Sequence, residues 1–115
     1  MAKYECTLTG NHQELLDVID AGILTGSVSA SYEDGSDCSV GNTLCSVRVY
    51  ERYSIIGQNR VSLNVTVVSA DGGIFISAIT SGGSQALIMK MNTIGEETFL
   101  GSLIKIVEDY KSTYE

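Results

Sequence analysis

Proline is absent from this chain of 115 residues, so its turns must be made by Gly, Asn, Asp and Ser. Basic residues are scarce: seven Lys and Arg stand against fourteen Asp and Glu, for a formal net charge of -7. That balance argues against a general nucleic-acid binder, which needs a basic face to release counterions, and against docking on anionic lipid. There is a single histidine, His12, so a His-rich metal site is excluded. The three cysteines include no CxxC pair and match no zinc spacing, so no metal site and no cofactor fingerprint is expected. No apolar run approaches the ~18 residues of a membrane span, and the start, MAKYECTLTGN, lacks a signal-peptide apolar region. A cytoplasmic protein with free thiols is the expectation.

What remains is a single domain, residues 1–115, 43% hydrophobic and large enough to bury one core. Lys3 to Thr9 reads as a strand with Tyr4, Cys6 and Leu8 on one face. Asn11 and Glu14 form a capping box for a helix near 12–22, with Leu15, Leu16, Ile19 and Ile23 as its stripe and Gly22 as its stop.

Strand signals follow. Ser27 to Glu33 alternates with Val28, Ala30 and Tyr32 inward, and Asp34 to Asn42 reads as a polar loop. Thr43 to Tyr53 places Cys45, Val47, Val49 and Tyr53 on the core face and Ser46, Arg48, Tyr50 and Arg52 on the other. After a turn at Gly57-Gln58-Asn59, Arg60 to Ser69 buries Val61, Leu63, Val65 and Val67. Asp71-Gly72-Gly73 is a strong hairpin signal. Ile74 to Thr80 is apolar on both faces, and Ala86 to Met91 is apolar and ambiguous. A second capping box, Thr93 with Glu96, starts a helix near 94–112 carrying Leu100, Leu103, Ile104, Val107 and Tyr110. The predicted fold is α+β: a five-stranded antiparallel meander, order β-α-β-β-β-β-α, with both helices on one face.

In element order this resembles the TATA-binding-protein-like or helix-grip folds, a likeness that carries no function. The stretches YEDGSD at 32–37, VRVYERYS at 47–54, NRVSLNVT at 59–66 and AITSGGSQA at 78–86 resemble a family of short bacterial proteins of unknown function. The resemblance implies a stand-alone bacterial protein of the cytosol and assigns no site.

No catalytic residues emerge. His12 stands in the first turn of the first helix, where a solvated side chain is the common case. Arg48, Arg52 and Arg60 are expected on one sheet face with Tyr50 between the first two, as a candidate ligand-binding cluster. Like charges there need a compensating acid or anion, and an intramolecular partner such as Glu33 or Glu5 is the ordinary solution. Ser81, Gly82, Gly83 and Ser84 read as a loop or a strongly bent strand; their amides suit an anion, but the stretch lacks the lysine of a phosphate loop, and a bulge or bend where the sheet curves is the ordinary reading. Phe75 and Ile79, with Val68 beside them, predict an apolar patch on the uncovered sheet face and a homodimer through it. Cys6 and Cys45 read as core residues and Cys38 as an exposed loop thiol. The functional expectation is a non-enzymatic binding or interaction module for a small amphipathic or anionic ligand. The alternative is a small enzyme using Tyr, Arg and acidic residues of the sheet.

Overall fold

The computed structural model describes residues 1–54, 59–82 and 89–114, with the side chains of 54, 59 and 89–95 left aside. The order is β1 (Ala2–Leu8), α1 (His12–Gly26), β2 (Ser31–Val40), β3 (Thr43–Ser54), β4 (Asn59–Ala70), β5 (Gly73–Gly82) and α2 (Met89–Ser112). The strands form one sheet in the spatial order β1-β5-β4-β3-β2, with every neighbouring pair antiparallel. This is the predicted α+β arrangement. The turn at Asp71-Gly72 has positive φ at both residues, 52° and 83°, which is what a tight hairpin between β4 and β5 requires.

Both helices lie on one face of the sheet. Between them and the strands sit Val61, Leu63, Val65 and Val67 of β4, Ile74, Ile76 and Ala78 of β5, the four apolar residues of the α1 stripe, and Phe99, Leu103 and Val107 of α2. The helices meet where Gly22 faces Ile106: a Cβ built on Gly22 would lie 2.5 Å from Ile106 Cδ1. Gly22 is therefore a contact surface inside α1, not its stop. The helix runs on to Gly26 and is capped by Ser27.

The strands depart from the sequence reading in two places. β2 lies later than expected: Val28 and Ala30 precede it, Val28 is fully exposed, and the residues read as a polar loop pair with β3 through a bulge between Tyr32 and Asp34. An edge strand needs only its backbone to pair, so a polar sequence serves. The faces of β3 are also inverted. Register places Ser46, Arg48, Tyr50 and Arg52 opposite Val67, Val65, Leu63 and Val61. Cross-strand partners share a face, and β4 buries that row, so the polar set of β3 turns under the helices. Cys45, Val47, Val49 and Tyr53 point away from them.

Phe75 and Ile79 lie on the uncovered face, as expected, while Ile74 and Ile76 lie in the core. Helix α2 begins at Met89, so Thr93 lies inside it rather than at its cap. Gly57 and Gln58 of the expected turn fall on residues 55–58, and Gly83 and Ser84 fall on 83–88; these lie outside the described residues, while Asn59 opens β4. No helix of the described chain is long and apolar enough to cross a membrane.

Candidate functional site

The first turn of α1 is fixed from both sides. Asn11 Oδ1 accepts the Glu14 amide at 2.9 Å, and the Asn11 amide donates to the Tyr110 hydroxyl of α2 at 2.9 Å. This anchoring sets His12 over the ends of β3 and β4. Its Nδ1 lies 2.5 Å from Ser69 Oγ and its Nε2 lies 2.8 Å from Ser46 Oγ. Ser46 Oγ donates in turn to Asp37 Oδ1 at 2.6 Å. Arg48 Nη2 pairs with Asp37 Oδ1 at 3.0 Å, and Nη1 donates to the Val47 carbonyl at 2.9 Å.

The proton positions follow from counting. Ser46 has one proton and spends it on Asp37, so it accepts from His12 Nε2–H. Burial favours the neutral ring, and in that form Nδ1 is the acceptor and Ser69 donates to it. Burial holds the His12 pKa below its ordinary 6.5, and the Arg48 charge pushes the same way against the pull of Asp37. The Asp37 carboxyl is held below its ordinary value by the Ser46 hydrogen bond first and by Arg48 second.

Beside this network the surface is concave. One open hollow of ≈ 550 Å³ is lined by His12, Gln13, Asp37, Cys38, Leu44 and Ser46, among others. A second, of ≈ 300 Å³, is lined by Gln13, Asp17, Asp20, Tyr32 and Arg48. Gln13 borders both, and the Arg48–Asp37 pair lies at their junction. Behind the second hollow, buried Tyr50 donates to Asp20 Oδ1 at 3.0 Å and meets Tyr32 edge-on, ring centroids 5.9 Å apart. Burial and the Asp20 hydrogen bond push the Tyr50 phenol well above its ordinary pKa.

The structure separates the predicted arginine cluster. Arg48 joins the network above. Arg52 lies on the same face with its guanidinium carbon 4.6 Å from the centre of the Phe99 ring, a cation–π contact. Arg60 is on the opposite face, 3.4 Å from Glu51. The compensating acids are Asp37 and Glu51, while Glu5 and Glu33 take the hydroxyls of Ser77 and Ser31. Ser81 and Gly82 are the last two residues of β5 rather than part of a loop: Ser81 Oγ lies 2.8 Å from Ser62 Oγ, and Gly82 pairs with Val61. Val68 and Phe75 are direct cross-strand partners, and Ile79 pairs with Asn64 and Lys3.

Sequence reasoning missed Asp37, Ser46 and Ser69, and set His12 aside. One signal was present: Ser69 continues the inward row of Val61, Leu63, Val65 and Val67, where a polar residue needs a partner. As chemistry, the network is closed on itself. Ser46 directs its proton to a carboxylate held acidic, so it is not a hydroxyl activated by a base. Ser69 does face the imidazole acceptor, but it is not among the residues lining the hollow.

No curated protein matches this chain. A family model matches residues 1–111, and on that extent the chain belongs to a family of unknown function, DUF6054.

Proposed function

We propose that this chain is a non-enzymatic binding module, and that its ligand site is the hollow between the start of α1 and the β2–β3 hairpin. The observation that carries this reading is the convergence there of a half-buried imidazole, an exposed carboxylate and an exposed leucine, Leu44, around ≈ 550 Å³. A small amphipathic ligand suits these groups: a donor on its polar end meets Asp37, and its apolar part lies on Leu44. An anion suits them less, because Arg48 already holds Asp37 and its side chain keeps only 17% of its exposure. Screening small amphipathic amines by saturation-transfer NMR, with amide-shift mapping, tests the reading. Hits should perturb residues 12–13, 37–39 and 44–46 and be lost in both Asp37→Asn and Leu44→Ser. Hits that map elsewhere, or that survive both substitutions, overturn it.

A second reading, self-association, rests on a different observation. The uncovered sheet face presents Phe75 and Ile79, each 39% exposed, with Val68 directly opposite Phe75. Lys3, Glu5 and Thr66 border them. An apolar centre with a polar rim is the anatomy of an interface, and a two-fold homodimer is the simplest assembly. Sedimentation should give a dimer that Ile79→Lys converts to a folded monomer. A wild-type chain that stays monomeric at high micromolar concentration overturns this reading.

A further inference from the structure

The three cysteines are distributed unequally over the sheet. Cys6 lies on β1, at one edge, on the helix-covered face, where its Sγ accepts from the Tyr4 hydroxyl at 3.2 Å. Cys38 and Cys45 lie at the other edge, on β2 and β3, and are direct cross-strand partners. The bulge lies on the far side of this pair, between Tyr32 and Asp34, so the register from Asp34 to the turn is unbroken.

The turn fixes the geometry of the pair. Gly41-Asn42 joins Val40 to Thr43 as a two-residue hairpin, with φ of +57° at Gly41, as a type II′ turn requires. In such a hairpin the closing pair exchanges hydrogen bonds, the next pair does not, and the third does again. Cys38 and Cys45 are that third pair, which places their Cα atoms roughly 5.5 Å apart. That separation falls inside the ~4.4–6.8 Å range a disulfide spans. Both side chains leave the same face of the ladder. Ser46, the next residue along β3, is buried on the opposite face, so Cys45 points to the uncovered one. Cys38 is exposed and Cys45 half-buried, and both are free thiols.

We propose that Cys38 and Cys45 are a reversible dithiol site that closes to a disulfide across the β2–β3 hairpin. The co-reactant is a low-molecular-weight disulfide. The thiolate of exposed Cys38 attacks one of its sulfurs, the S–S bond breaks, and one small thiolate leaves. The Cys45 thiolate then attacks Cys38 Sγ and expels the second. The two protein thiols lose two protons and two electrons, and the small disulfide is reduced to two thiols. The loop so closed is short, so the bond constrains the unfolded chain less than a long-range disulfide would. With Cys38 exposed to thiol exchange, it acts as a reporter of redox state rather than a staple. It also ties together the two strands that carry Asp37 and Ser46.

The test uses the full chain, kept dilute, treated with oxidised glutathione, alkylated and mapped by mass spectrometry. The expected product is one chain lighter by two hydrogens, with a Cys38–Cys45 linked peptide, Cys6 alkylated, and complete reversal by a dithiol reductant. Cys45→Ser should instead trap glutathione on Cys38. A wild-type chain that retains glutathione on Cys38 while Cys45 stays alkylatable overturns the proposal, as does a disulfide involving Cys6.

Discussion

The hydroxyl of Tyr50, on β3, donates to the carboxylate of Asp20, on α1, at 3.0 Å, and ties the sheet to the helix across the core margin. Tyr50 is fully buried, so its hydroxyl has lost water and depends on this one acceptor. Removing one partner of such a bond costs more than removing both. Asp20→Ala should lower unfolding free energy by about 1–3 kcal/mol, and Tyr50→Phe by about 1 kcal/mol. The double variant should be no less stable than Asp20→Ala alone. Urea unfolding of the four proteins checks this, and strict additivity would show that the two groups do not act together.

The His12 network gives stability a definite pH dependence. The folded pKa lies below 6.5, so near pH 6 the unfolded chain binds more protons than the folded one. The contribution of neutral His12 is therefore complete above 6.5 and is lost as pH falls from there through the folded value. Asp37, also depressed, acts in a separate window below its ordinary 3.8. Unfolding midpoints should fall more steeply from about pH 7.5 to 5 in the wild type than in His12→Asn. Parallel curves would mean that His12 titrates alike in both states.

Tyr50 and His12 also show where the sequence was legible. The alternation of Val61 to Val67 and the Asn11 cap are local patterns, and both the strand and the helix start are where those patterns put them. β3 alternates as well, but between two amphipathic sets. Tyr and Arg carry long apolar stems, so pattern alone could not rank Tyr50 and Arg52 against Val47 and Val49. The deciding fact was nonlocal: which residues of β3 stand opposite the buried row of β4. The network of His12, Ser46, Ser69 and Asp37 spans residues 12 to 69, with each member on a different element. No sequence spacing encodes such a meeting. β2 was misplaced because an edge strand held by backbone pairing needs no apolar signature.

The two faces of β5 make a direct comparison. Ile79 is on the uncovered face and Ile76 is in the core. Ile79→Lys should change stability by well under 1 kcal/mol as a monomer, whereas Ile76→Lys should leave a chain that does not fold, since it buries an unpaired charge. Circular dichroism on heating separates the two outcomes. Unfolding of Ile79→Lys would place that side chain in the subunit core.

Two glycines of α1 should respond oppositely to the same substitution. Gly26 closes the helix with nothing within 4 Å of a built Cβ, so Gly26→Ala meets no obstacle. It should raise stability by about 0.5 kcal/mol, chiefly by restricting the unfolded chain. Gly22 is also helical and gains from the same effect, by up to about 1 kcal/mol mid-helix. There, however, the new methyl would lie 2.5 Å from Ile106 Cδ1 and 2.8 Å from Cγ1. A β-branched side chain has few rotamers in a helix, so Ile106 cannot simply swing aside and α2 must shift. Overpacking of this kind costs about 1–3 kcal/mol, which outweighs the propensity gain. Gly22→Ala should therefore lower the thermal midpoint in the wild-type background. In an Ile106→Ala background the obstacle is gone, and the same substitution should raise it. A destabilising Gly22→Ala in both backgrounds would mean that the close approach of α1 and α2 is not set by Ile106.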